Sequence, residues 1–417
     1  MIRKLILVSI FYTGLICSHA QSIATFKVEF QKETNKFNVP VSINLDEVTF
    51  LPDTAISLFE VENNHKTPVP FQIENGEHRI LNWIIRKGND QQNNYVFELV
   101  KGFPEKSEEI KAIKDNGKLI ISSGDKDLLC YNFKTLYPPA GIDTSYKRSG
   151  FIHPLWSPHG QVLTLVQPPD HYHHYGIWNP WTHVLFEGDT VDFWNLGDKE
   201  GTVRFSSFIS ITDGPVFAEY EALHKHVIFK KDGSEKVALN ELQSVRVYKP
   251  GENQDYYLVD INIELNCATK SPVLLLKYRY GGLGWRTTEQ WNKDNSEVLT
   301  SEGKTRKDAD GTKARWCIVQ GKIDDDYAGV VMMSYPTNCN YPEPLRIWPE
   351  DQNGRGDMFA NFSPTKDKNW LLRPGKKYNL KYRFLVFNGH VSQEQGENSW
   401  QYFISAPAIK IGLNNQE

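Results

Sequence analysis

The chain is poor in cysteine, in net charge and in long apolar runs, and each shortage excludes something. Five cysteines stand among 417 residues. One of them, Cys17, falls in the N-terminal stretch treated below. The others, Cys130, Cys267, Cys317 and Cys339, lie far apart and form no Cys-x-x-Cys pair, which excludes a zinc knuckle. Buried free thiols on strands are their expected state. The formal net charge is only −4, from 47 basic and 51 acidic residues. No basic tract could track a phosphate backbone, so no nucleic-acid partner is expected. Beyond residue 20 no segment approaches the roughly eighteen apolar residues of a membrane span, so no membrane insertion is expected. The chain also lacks a G-x-S-x-G elbow, an H-E-x-x-H helix and a Walker loop, which removes the serine-hydrolase, zincin and P-loop readings. The glycine-rich run Gly281-Gly282-Leu283-Gly284-Trp285-Arg286 has no Lys-Ser/Thr partner. It reads as a backbone bend at a sheet end.

What is present is mostly β. Arg3 and Lys4 precede an apolar run from Leu5 to Leu15 and a small-x-small site at Ser18-His19-Ala20. Together these predict a signal peptide over residues 1–20, cleaved after Ala20, and export to the periplasm or the medium. Residues 21–133 alternate with period two. Asn75-Gly76 and Gly124-Asp125 mark hairpin turns, and an N-terminal β domain is expected there. Residues 134–200 are broken by seven prolines, each removing a ladder donor, as in long loops and short strands. From Gly201 on, long alternating runs return, among them 203–211, 216–229, 236–248, 256–265, 273–280, 315–320, 329–334 and 381–387. The fold class predicted is all-β: a small N-terminal β domain, then a large antiparallel β-sandwich over residues 134–417. Two polar loops, 287–313 and 336–357, are long enough to suggest a functional use.

The stretch from Gly150 to Asp198 carries half of the twelve histidines, His153, His159, His171, His173, His174 and His183. It also holds Trp156, Trp178, Trp181 and Trp194, with carboxylates at Asp170, Glu187, Asp189 and Asp192. Titratable rings, flat apolar rings and turn residues in one window are the makings of a pocket for a small polar ligand. If Asp170 to Gly176 is extended, His171 and His173 share one face and His174 takes the other. Three uses are open to them. They can act as general acid and base, with Asp170, His153 or Asp192 as neighbours, because imidazole titrates near neutral pH. They can ligate a divalent metal, since His171-x-His173 on a strand is a workable chelate. They can also bond directly to substrate hydroxyls. No cofactor is required by the first or third use.

Trp178, Trp194 and Trp348 are candidates for stacking on the apolar face of a sugar ring. Arg286, with Glu289 close in sequence, and Arg346 are candidates for gripping a carboxylate or sulfate in a two-pronged fork. His159 and Asn338 complete the candidate binding set.

The motifs His153-Pro154-Leu155-Trp156-Ser157-Pro158-His159-Gly160, Pro168-Pro169-Asp170-His171-Tyr172-His173-His174-Tyr175-Gly176-Ile177-Trp178 and Val191-Asp192-Phe193-Trp194 resemble the PmoA-like family of secreted bacterial proteins. So do Gly282-Leu283-Gly284-Trp285-Arg286, Arg315-Trp316 and Tyr382-Arg383-Phe384. The resemblance covers about residues 130–390. It departs from the family pattern at Tyr335-Pro336-Thr337-Asn338, where His-Pro-x-Asn is common. The family's name implies methane oxidation, which would need membrane helices that this chain lacks. More usefully, the resemblance implies a β-supersandwich similar to the galactose mutarotase-like group, in bacteria that degrade polysaccharides. That fold hosts several chemistries and selects none. The function expected is an exported carbohydrate-active enzyme working on oligosaccharides by histidine acid–base chemistry. A non-catalytic glycan-binding protein and a histidine-ligated metalloenzyme are the alternatives.

Overall fold

In the computed structural model the alternating runs beyond residue 201 form one eight-stranded antiparallel sheet. The structure describes residues 21–30, 37–86, 93–251 and 255–414; the leader expected at 1–20 lies outside them. The strand order in the sheet is Gly201–Thr212, Phe217–Phe229, Glu235–Tyr248, Tyr256–Cys267, Lys377–Asn388, Asp326–Ser334, Trp316–Ile323 and Ser296–Thr300. Tyr256–Cys267 shows why these residues make a strand. Val259, Ile261, Ile263 and Leu265 are buried on one face, while Asn262 and Glu264 alternate with them.

A nine-stranded antiparallel sheet packs against that buried face. Its order is Lys313–Ala314, Glu343–Ile347, Phe359–Phe362, Gly284–Arg286, Ile177–Trp178, Phe151–Leu155, Lys126–Asn132, Lys118–Ser123 and Ile110–Asp115. Ile121, Leu129, Trp285 and Leu345 from this sheet share one core with Val245, Ile261, Val319 and Val330 from the other. The large unit is therefore the antiparallel β-sandwich expected from sequence. The run expected over 273–280 is cut short. It forms a strand only over Val273–Leu275, in a separate four-stranded sheet.

A smaller sandwich precedes it. Its five-stranded sheet holds Ser22–Glu29, and its three-stranded sheet holds Val39–Asn44, Arg79–Ile85 and Phe71–Asn75. Two corrections follow. The hairpin Lys118–Ser123/Lys126–Asn132 exists, but its strands and Ile110–Asp115 belong to the nine-stranded sheet, so the division falls before residue 110 rather than at 133. Further, Ala408–Leu413 returns from the far end of the chain to pair with Ser22–Glu29. The small domain is thus closed by two distant segments.

One α-helix, Gln393–Ile404, was not anticipated among the strands. Ser392 and Gln395 cap its first turn reciprocally, Ser392 Oγ accepting from Gln395 N at 3.3 Å and Gln395 Oε1 from Ser392 N at 2.9 Å. Its Trp400 joins Trp316, Ile318 and Leu385 on the outer face of the eight-stranded sheet. The small domain covers part of the same face. Gln72 Oε1 accepts from Val216 N (3.2 Å) and Phe217 N (3.1 Å), and Arg246 reaches Glu74.

Candidate functional site

The histidine run is not a strand. Pro168 and Pro169 stop any ladder, and the chain turns twice in succession. His171 N donates to Pro168 O (2.9 Å), His174 N to His171 O (3.0 Å), and Gln167 N to His174 O (2.8 Å). The expected split, with His174 opposite His171 and His173, is therefore overturned. The turns wind all three imidazoles to one place, with one ligand atom from each within 4.8 Å of the others. His171 and His174 stack at 4.6 Å between centroids, and His173 meets both edge-on.

Gly176 closes the loop. Its φ is +56°, and a Cβ there would lie 2.2 Å from Ile152 O, so only glycine fits. Beyond it Ile177 pairs with Trp285, Arg286 pairs with Phe359, and Trp348 N donates to Phe359 O (3.1 Å). Neighbouring strands of the nine-stranded sheet thus deliver Trp178, Arg286, Phe359 and Trp348 beneath the histidines.

These rings form a packed floor. His174 lies 5.2 Å from Trp178, 5.4 Å from Trp348 and 5.3 Å from Phe359, and Trp178 lies 5.1 Å from Trp194. Trp178, Trp194 and Trp348 are only 1–2% exposed. They do not offer the open stacking faces expected of them, because each indole is spent on its neighbours. The half-buried side of the cluster is His171 and His173.

The polar wall is an ion network. His171 Nδ1 bonds to Asp170 Oδ2 at 2.7 Å, and Asp170 pairs with Arg286 Nη2 at 3.0 Å. Arg286 also faces Asp357 (3.4 Å) and lies 4.6 Å over the Trp348 ring. Asn353 Nδ2 donates to both Asp170 (3.0 Å) and Asp357 (2.8 Å). Burial works to raise the Asp170 carboxyl, but the His171 hydrogen bond and the Arg286 charge outweigh it and hold the group at about 2. Burial, helped by the charge of His171, brings His173 down to about 4. His174 falls well below the usual range, again through burial and then through His173 and Arg286. Burial also lowers Arg286, against the pull of its two carboxylates. His173 and His174 are therefore neutral near pH 7, while Asp170 and Arg286 are ionised. Three buried polar atoms here have no protein partner: His174 Nδ1, Trp178 Nε1 and Arg286 Nη1.

Other candidates fall elsewhere. His153 Nδ1 bonds to Thr164 Oγ1 (2.9 Å), and burial holds it at about 4. His159 bridges Asp326 (2.6 Å) and Asp255 (2.9 Å) beside the far ends of other strands, which raises it. Asp192 is a loop anchor. Its carboxylate accepts from Trp194 N, Asn195 N and Asn195 Nδ2 within 2.8 Å, so it orients no imidazole. Glu289 is exposed, and Arg286 takes Asp170 and Asp357 instead. Asn338 is a structural lock, donating to Glu343 Oε1 (2.8 Å) and Lys381 O (2.9 Å). Arg346 pairs with Asp310 (3.1 Å) and donates to Tyr280 OH (3.1 Å), next to the aromatic floor. Asn353, Asp357, Phe359 and Tyr280 were missed in the sequence. The length of loop 336–357 was the signal that could have found the first two.

A second histidine cluster lies inside the sandwich. His224 and His226 flank Glu241 at 3.0 and 2.9 Å, and Tyr131 OH meets His224 at 2.5 Å. All four are at most 1% exposed, so this knot ties the two sheets together and meets no solvent.

Residues 118–401 match the model of a family of unknown function, DUF6807. The chain belongs to that family. No curated protein matches it. Among solved structures it is similar to a mutant of the heparan sulfate lyase HepC from Pedobacter heparinus, at 11% identity and a TM-score of 0.33, covering 70% of this chain and 38% of that one. It is also similar to an alpha-mannosidase from Enterococcus faecalis V583, at 8% identity and a TM-score of 0.42, covering 94% and 46%. The chain spans less than half the length of either, and neither likeness extends to activity.

Proposed function

We propose that this DUF6807 member is an exported carbohydrate-active enzyme of polysaccharide breakdown, working on oligosaccharides at the three-histidine centre. The observation that carries the reading is the convergence of His171, His173 and His174 beside the Asp170–Arg286 pair. Asp170 occupies His171 Nδ1 and so fixes the tautomer and the aim of Nε2. His171 is then placed to exchange a proton with a sugar carbon or oxygen. Arg286, 3% exposed and paired with Asp170, does not present the open anion fork expected of it but holds the carboxylate that aims His171. The resemblance of the His153–Gly160 and Pro168–Trp178 motifs to the PmoA-like family supports the same substrate class, and the expected leader supports export.

A non-catalytic glycan binder would depend on exposed indoles. Here the indoles are buried and the half-exposed groups are titratable, which favours chemistry over simple binding. The test is a panel of neutral and uronic-acid oligosaccharides incubated with the protein and read by mass spectrometry. A change of mass or length, absent with His171→Ala, is the expected result. Tight binding of every bound oligosaccharide in unaltered form would contradict it and favour the binder.

A further inference from the structure

We propose that His171, His173 and His174 together hold one divalent transition-metal ion, with zinc the best match. The inference rests on the reading above for the location of the working site and changes the role given there to His171, whose Nε2 binds the ion instead of exchanging the proton itself. Sequence spacing offered two imidazoles for a chelate; the double turn supplies the third. Three neutral imidazoles and an open position form the ligand set of catalytic zinc. Their ligand atoms lie within 4.8 Å of one another. Tetrahedral bonds of about 2.1 Å place ligand nitrogens about 3.4 Å apart, so closure needs movements of about an ångström together with rotation of one of the His171 and His174 rings, which lie 22° from parallel.

Two further observations point the same way. His171 gives Nδ1 to Asp170 and keeps Nε2 free, the carboxylate–histidine arrangement that backs most metal-ligating imidazoles. His174 is 1% exposed, yet its Nδ1 has no partner. A histidine buried for packing alone would leave that desolvated nitrogen uncompensated. Burial also sets the orientation of the site. His174 lies at the base and the half-buried His171 and His173 lie at the mouth, so the fourth position opens toward them. No carboxylate is among the ligands, so the ion keeps its full charge for a water or a sugar oxygen. Asp170 and Asp357 balance Arg286 close by, which reduces that cation's repulsion of the metal.

The protein is purified without a histidine tag, stripped with chelator and titrated with zinc chloride by calorimetry. One equivalent should bind to wild type, and cobalt in its place should give the intense visible absorption of a four-coordinate site. His171→Ala and His173→Ala, both at half-buried positions, should lose the stoichiometric site. Asp170→Asn should weaken it by about 10- to 100-fold. Thermal melts check that each variant folds. The proposal is overturned if folded wild type binds no equivalent of zinc, or if both alanine variants bind it as wild type does. Oligosaccharide turnover by fully stripped protein would also overturn it while leaving the proposed function standing. Zinc bound through these histidines with no oligosaccharide turned over would uphold it and remove the proposed function.

Discussion

At the scale of single residues, burial separates the groups that can react from those that hold the fold. Trp178 was expected as a sugar platform, but it is wedged between His174 and Trp194. Trp178→Ala should therefore cost about 3–5 kcal/mol of stability, as for other large aromatics removed from a core. Denaturant melts check this; an unchanged midpoint with weakened ligand binding would restore the platform reading. Glu343 is a buried carboxyl whose proton makes stability depend on pH. Burial pushes its carboxyl up to about 7, against hydrogen bonds from Ser334, Asn338 and Tyr382. Its ordinary value is 4.5. Between these values the folded state keeps a proton that the unfolded state releases. The stability is thus fully present below pH 4.5 and is lost as pH rises through 7, by about 3 kcal/mol. Glu343→Gln should flatten that slope. Chemical unfolding of both proteins at several pH values between 4.5 and 7.5 measures it, and parallel slopes would refute the assignment.

At the scale of elements, period-two alternation made the strands legible. Phe217–Phe229, Glu235–Tyr248, Tyr256–Cys267 and Lys377–Asn388 lie within a few residues of where the pattern puts them, because one wet and one dry face leave a direct trace in sequence. The helix Gln393–Ile404 went unread although Ser392-x-x-Gln395 spells a capping box. The histidine loop was half legible. Its composition marked the site, but the turns that unite His171, His173 and His174 depend on bonds such as Gln167 N to His174 O, which no periodicity announces. The pairing of Ala408–Leu413 with Ser22–Glu29 joins segments almost the whole chain apart and could not be read locally. It makes a prediction of its own. Deleting residues 408–417 should bare the edge of the five-stranded sheet, lowering the first thermal transition and promoting self-association. Scanning calorimetry with light scattering checks both, and an unchanged first transition would show that the strand is dispensable.

At the scale of the whole molecule, the small domain braces the outer face of the sandwich through Gln72, Glu74 and Arg246, while the proposed site lies at the nine-stranded sheet. Asp357 and Asn353 reach the site from a loop almost two hundred residues beyond Asp170, so only the folded sheet brings them to it. His159 belongs to the same histidine-rich sequence window, but the fold carries it away to Asp255 and Asp326. That separation gives the central claim its sharpest test. Turnover of one active oligosaccharide is compared for wild type, His171→Ala and His159→Ala, each confirmed folded. The account predicts a fall of about 10²- to 10⁴-fold for His171→Ala, the scale of a lost acid–base group, and wild-type turnover for His159→Ala. Full turnover by His171→Ala, or an equal loss in both variants, would contradict it.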